Sequence, residues 1–436
     1  MKRRITLAAA VAAVAVVCSL AAAATALAGP FDSSVSLHRT AGVPLVTPLL
    51  LPGELDLASV GVADSELATA GLAGAQTSWD EERGDHDGHG DGDGHNGGSP
   101  TLVVDDDRAQ CPDAQYQRIQ DAVDAAPPGA QIRVCPGTYP EQVRIPKNNL
   151  TLYSVKPWQA VIQAPAVMTY PNSIVTVSGA TGVTIRQFTI TGPFTFGGCA
   201  EAVDRHTGVR IINGSATIYG NHITKIRDVD PLLFGCQDGI AVLVGRQSES
   251  QVGKATLLFN LIDQYQKGGI VVDNAGSFAW ISYNAVIGEG LNDLIAQNGV
   301  QVGRGAGAGI DHNVIAKNQY ANPVIADAAS GVLLFDTTST SAGYNDVGKN
   351  GYGVVLDSGT IGAEIDHNNV HDNIDDGIAA FQGSANNFIS YNNAHDNTPY
   401  DCFDETTGTH TAGTANTWFK DIGQTQNRPG LCKRGH

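Results

Sequence analysis

Aromatic residues are scarce, 6% of the 436-residue chain, and charged residues make up only 16%. Together with 51 glycines, this argues against a helical bundle and for flat strands joined by many tight turns. Cations are outnumbered: 26 Lys and Arg face 44 Asp and Glu, a formal charge of −18. Such a surface repels phosphate, which excludes nucleic acid as a partner. It also repels polyanionic sugars unless a cation bridges them. No apolar run beyond the N-terminus is long enough to span a bilayer. No two cysteines form C-x-x-C, so the usual zinc and redox signatures are missing.

What is present begins with Met1-Lys2-Arg3-Arg4, an apolar run from Ile5 to Ala24, and Ala26-Leu27-Ala28 before Gly29. This pattern predicts a signal peptide over 1–28 and a secreted, extracellular protein; the alternative is an uncleaved anchor helix. Cys18 follows Val17, not a small residue, so it belongs to the apolar run and is no lipid attachment site. Cleavage removes Lys2, Arg3 and Arg4 and leaves the mature chain more acidic still. Six cysteines remain, Cys111, Cys135, Cys199, Cys236, Cys402 and Cys432. An even set in an exported chain predicts disulfides, here paired sequentially.

Residues 29–100 read as a low-complexity leader or linker. Within it, His86, His89 and His95 stand among Asp and Gly. That stretch is either a loose metal binder or a solvated, disordered spacer. From Thr101 to His436 the pattern is that of one domain. Asp113 to Ala126 predicts an amphipathic helix, stopped by Pro127-Pro128-Gly129. Short strand-like runs follow: Gln131–Val134, Gln142–Ile145, Leu150–Tyr153, Ala160–Ile162, Ser173–Val177, Val183–Ile185 and Val209–Ile212.

A repeat then takes over. Asparagine recurs between a strand and a mostly apolar pair at Asn221, Asn260, Asn284, Asn313, Asn345, Asn368 and Asn392. A second asparagine often follows five residues on, at Asn318, Asn350, Asn373 and Asn397. Glycine and a β-branched residue open the next strand, as in Gly269-Ile270, Gly299-Val300, Gly331-Val332, Gly353-Val354 and Gly377-Ile378. One such repeat holds three short strands, and successive repeats pair at roughly 4.8 Å. Asparagine at the repeated turn tolerates left-handed backbone, and stacked amides form a ladder. The expected fold is therefore all-β, a right-handed parallel β-helix. Its first coil is capped by the helix, and its last by a tail that Cys402 and Cys432 tie back.

The chain resembles the secreted β-helix proteins of the pectin-lyase-like superfamily. The residues that carry the likeness are Ile119-Gln120-Asp121-Ala122-Val123-Asp124-Ala125-Ala126-Pro127-Pro128-Gly129, the turn from Val134 to Glu141, and Asn373-Ile374-Asp375-Asp376-Gly377-Ile378. The resemblance implies the fold and leaves the activity open, because that superfamily holds lyases, hydrolases, esterases, epimerases and proteins without a known reaction. Gly137-Thr138-Tyr139 with Glu141 is similar to a turn of pectin methylesterases, yet their nucleophile segment is missing. Asp375-Asp376 looks like the paired acids of polygalacturonases without their partner motifs.

Counting from each strand-opening glycine sets the register. Positions one and three on point inward. Positions two and four point outward: Val271 and Asp273, Gln301 and Gly303, Leu333 and Phe335, Val355 and Asp357, Ala379 and Phe381. An outward face this apolar is either a sugar-binding surface or is buried under a loop or part of residues 29–80. On the first reading Phe335 and Phe381 are platforms for sugar rings. Asp273, Asp336 and Asp357 then bind hydroxyls or calcium. For catalysis, glycoside hydrolysis needs two carboxylates. Asp357, Asp375, Asp376, Asp401 and Asp404 are the candidates; acids at turns are also commonplace. His371 and His395 repeat one coil apart and are either a metal pair or copied turn residues, as are His312 and His367. The expected function is binding or processing of extracellular polysaccharide by a monomer. The rival is a non-catalytic structural or adhesion rod.

Overall fold

The computed structural model describes residues 100–195, 198–199, 205–322 and 328–435. The expected signal peptide, and all of the expected leader except Pro100, lie outside the described residues.

Three parallel sheets make up the described chain. Sheet I has 12 strands, from Thr101–Val104 to Thr417–Phe419. Sheet II has 12, from Gly137–Pro140 to Cys432–Lys433. Sheet III has 10, from Val143–Ile145 to Cys402–Asp404. One coil visits each in turn, as Gly253–Leu258, Leu261–Asp263 and Gly268–Asp273 do. The next coil then pairs in register, with Thr256 beside Trp280, Ile262 beside Val286 and Ile270 beside Val300. The fold is a right-handed parallel β-helix. Inward side chains from all three sheets merge into one core running from Val104 to Cys432. Among the described residues, no helix is long and apolar enough to cross a membrane.

The capping helix is shorter than the sequence predicts, Ile119–Ala125 only. Residues ahead of it are drawn into extended pairing: the N–H groups of Gln115 and Tyr116 both donate to the Val103 carbonyl, and Tyr116 bridges Val104. The helix lays Ile119, Ala122 and Val123 on the first coil. Glu141, part of the methylesterase-like turn, caps it by accepting the N–H groups of Ile119 (2.8 Å) and Gln120 (3.0 Å). All three disulfides pair sequentially, Cys111–Cys135, Cys199–Cys236 and Cys402–Cys432. The tail does more than lie over the last coil, since Asp421–Ile422 and Cys432–Lys433 extend sheet II.

At the corner between sheets I and II the asparagines stack as expected, but the left-handed backbone belongs to the residue before each. Phe259, Tyr283, His312, Tyr344, His367 and Tyr391 have φ between 55° and 58°. The asparagine that follows works through its amide. Asn368, for example, donates from its backbone N–H and its side-chain amide to Asn392 Oδ1, at 2.9 Å each, and accepts both donors of Asn345.

Candidate functional site

The register predicted for sheet III holds. Ile270, Val272, Val300, Val302, Val332, Leu334, Val354 and Leu356 are fully buried. The strand-opening glycines also point inward, because a Cβ at Gly353 would sit 2.4 Å from Val370 Cγ1 and 2.9 Å from Asn373 Nδ2. The residues before them turn outward instead, so Tyr352 and Asp376 join the outer face. Register then brings Asp273, Gly303, Phe335, Asp357, Phe381 and Glu405 into one outward column along the axis. A second column carries Arg210, Leu243, Val271, Gln301, Leu333, Val355, Ala379 and Phe403.

Toward the C-terminal end this face gathers rings and acids. Phe381 meets Tyr352 edge to face at 5.6 Å and Phe403 at 5.7 Å, and Phe403 stacks with Tyr400 at 6.0 Å. Asp376 is buried and accepts the Tyr400 N–H at 3.1 Å. Burial pushes its carboxyl up to about 7; the neighbouring Asp375 adds to the shift and the Tyr400 N–H opposes it. Burial raises Asp375 as well. The Tyr352 hydroxyl is raised by burial and then by the charges of Asp375, Asp376 and Glu405. Glu405 accepts the Gln382 N–H at 3.1 Å. Asp357 accepts the Ser358 N–H within its own turn, between Phe335 and Phe381 in the column.

Asp401 and Asp404 lie elsewhere, fully enclosed. Asp401 Oδ1 accepts the backbone and side-chain N–H groups of Asn397, and its Oδ2 accepts the N–H groups of Gln424 and Thr425 and the Thr425 hydroxyl. Asp404 accepts Thr406 on one oxygen, and Asn416 and the Trp418 indole N–H on the other. Asp421 does the same for Asn392. Each carboxylate ends an asparagine chain. The last amide in a stack still has donors to place, and a carboxylate only accepts. The geometry gives Asp401 and Asp404 this structural role and leaves no oxygen of theirs on the outer face.

The other end of the face is cationic, a feature that sequence reasoning missed. Arg205, Arg210, Arg246 and Arg304 gather there with Asp238 and Asp273. Asp273 is bound to Arg304 at 2.8 Å and accepts the Gln247 N–H at 2.9 Å. Phe335 lies over Gly303 and carries the Arg304 guanidinium 5.3 Å from its ring centre. Asp336 is an exposed corner residue with φ 48°. Asp273, Asp336 and Asp357 therefore do not converge as a calcium site. Among the described residues, three such ligand groups meet only around Asp105, once with the disulfide cysteines Cys111 and Cys135 and once with Asp106 and Asp107, all of them away from this face. Tyr352, Tyr400, Phe403 and Glu405 were also missed. The signal available for them was one-coil spacing carried past the strand-opening glycine.

His371 and His395 do stack, 5.3 Å apart, but their nitrogens face carboxylates and an amide. His371 lies between Asp346 (2.9 Å) and Asp372 (2.8 Å), and His395 between Asp396 (2.9 Å) and Asn369 (3.2 Å).

Residues 238–420 match the family model described as "Right handed beta helix region". No curated protein matches the chain. Among solved structures, the chain is similar to the pectin methylesterase of Aspergillus niger at 13% identity and a TM-score of 0.36, over 78% of this chain and 89% of that one. It is also similar to a GH136 lacto-N-biosidase of Eubacterium ramulus at 12% identity and a TM-score of 0.49, over 77% and 66%. A mannuronan C-5 epimerase A-module of Azotobacter vinelandii gives 15% and 0.42, over 77% and 100%. Likenesses at this level assign no residue of this chain a role. The stacked parallel sheets and the family match over residues 238–420 together identify the fold of this chain as a right-handed parallel β-helix.

Proposed function

We propose that this protein is secreted, binds a polysaccharide along the outer face of sheet III and hydrolyses it with the acids around Tyr352. The observation that supports this reading is Asp376, a carboxyl group that keeps its proton up to about pH 7 beside Asp375 and a set of rings. Glycoside hydrolysis takes one carboxylic acid and one carboxylate. Asp376 gives its proton to the leaving glycosidic oxygen. A water attacks the sugar carbon, and Glu405 takes the water's proton. Phe381 and Phe403 hold the sugar rings over the acids. A lyase would need a strong base such as Arg at this point, and the arginines stand at the opposite end of the face.

The test is a glycan panel, with and without calcium, read for new reducing ends and for unsaturated products. Reducing ends without unsaturated product are expected, with a rate that falls as pH rises through 7 and Asp376 loses its proton. Asp376→Asn should lower the rate by about a hundredfold or more. An absence of turnover over the whole panel overturns the hydrolytic reading. One observation favours the rival, a non-catalytic rod: Asp401 and Asp404 serve the asparagine ladders and not the face.

A further inference from the structure

The outer face of sheet I has its own built feature, remote in the coil from the acids on sheet III. In the strand Phe278–Ser282, Ala279 and Ile281 are fully buried, while Phe278 and Trp280 point outward. Their partners one rung on are Gly307 and Gly309. Both glycines lie within a strand, where side chains that pack are the rule, so their presence needs a cause. At Gly309 the ring supplies it, since a Cβ there would fall 2.2 Å from Trp280 Cζ3; at Gly307 a Cβ would meet the Ser339 carbonyl oxygen at 2.5 Å first and Phe278 Cδ2 at 3.1 Å. The missing side chains let the indole lie down on the sheet. Trp280 stays 54% exposed, so its other face looks to water.

Register extends this plate into a track. Thr184, Thr217 and Thr256 precede Trp280 in its column, and Ser215 and Lys254 lie beside them. Ser215, Thr217, Lys254, Thr256 and the two rings line a shallow depression. Gly309, Ser341 and Glu364 follow Trp280, and then Phe388, which is 43% exposed and stacks with Phe419. Trp280 and Phe388 are four rungs apart, about 19 Å on the usual strand spacing.

A lone exposed ring is ordinary. Two in one column, one of them seated on glycine, with hydroxyls before and between them, are not. From this arrangement we infer that the outer face of sheet I is a second glycan-binding surface, which takes a linear, uncharged polysaccharide along the Trp280–Phe388 column. The C–H faces of the sugar rings lie on the aromatic faces, and the sugar hydroxyls pair with the threonine and serine hydroxyls. One lysine and one glutamate balance the charge along the track, so nothing there selects an anionic polymer. A protein partner would need a continuous apolar centre, which two separated rings do not offer. This surface shares no residue with the proposed hydrolytic site and does not depend on it.

Affinity electrophoresis of the full chain through gels containing β-1,4-glucan, xylan or mannan, with polyuronate as the charged comparison, tests the inference. Retardation by at least one neutral glycan is expected. Trp280→Ala and Phe388→Ala should each weaken it about tenfold, and the double variant should weaken it further than either. Thr256→Arg, which fills the depression and leaves both rings in place, should also weaken it. Thermal melts of each variant confirm folding. Asp376→Asn should be retarded like the parent, which separates this surface from turnover. The inference is overturned if no neutral glycan retards the parent, or if the folded double variant is retarded equally. A concentration-dependent dimer that Trp280→Ala abolishes also overturns it, since the occupant is then a second copy.

Discussion

Asparagine holds the corner of this β-helix because its amide both donates and accepts, so one coil's donors meet the next coil's acceptor without a gap. Asn368 is buried with every polar group paired. Asn368→Ala would orphan the donors of Asn345 and should cost about 3 kcal/mol in urea unfolding, with no effect on glycan affinity. His371 is poised differently. Burial works against its charged form, yet the hydrogen bonds to Asp346 and Asp372 outweigh burial and raise it from 6.5 to about 9. A folded value above the unfolded one means that the ring's contribution is complete below pH 6.5 and is lost as pH rises through about 9. The melting temperature should therefore fall over that interval, and His371→Asn should flatten the fall. The recurring asparagines were legible in the sequence. The acids that end their stacks were not, because Asp401, Asp404 and Asp421 read alike with any acid at a turn until their neighbours in space are known.

Among the elements, the rings at the left-handed corner form a rail: Phe259, Tyr283, His312, Tyr344, His367 and Tyr391 stack with centroids 5.2, 4.9, 5.2, 4.8 and 5.0 Å apart. Such faces favour one another over water and offset the cost of left-handed backbone at residues other than glycine. The N-terminal cap shows where periodicity misleads. Asp113 to Ala126 has helical spacing throughout, but its first half can pair with the Thr101–Val104 strand, and a strand edge left bare would cost more than a lost helical turn. The helix that remains depends on Glu141, supplied from the next coil. Glu141→Ala should destabilise the fold by about 1 kcal/mol, measured by denaturant melts, and loosen the first coil selectively in hydrogen exchange.

For the whole molecule, stability is a sum of coil-on-coil contacts, so the ends open first. Replacing Cys402 and Cys432 together by serine releases a closure spanning 30 residues and should cost about 3 kcal/mol, seen as early melting of the last coils. The sequence by itself determined the repeat, the three-sided coil and the inward register of sheet III, because each follows from spacing along the chain and side-chain alternation. It also marked Asp375, Asp376 and Phe381 as worth watching. Only the tertiary structure decided which acids face outward. Tyr352 lies two coils before Phe403 and Glu405, with Asp375 and Asp376 on the coil between, and they come onto one face only once the coils are stacked. Asp401 and Asp404, equally promising in print, are claimed by amides that lie above and below them. Which groups a carboxylate meets, and whether water can reach it, is settled by residues some two dozen positions away, and that neighbourhood exists only in the folded state.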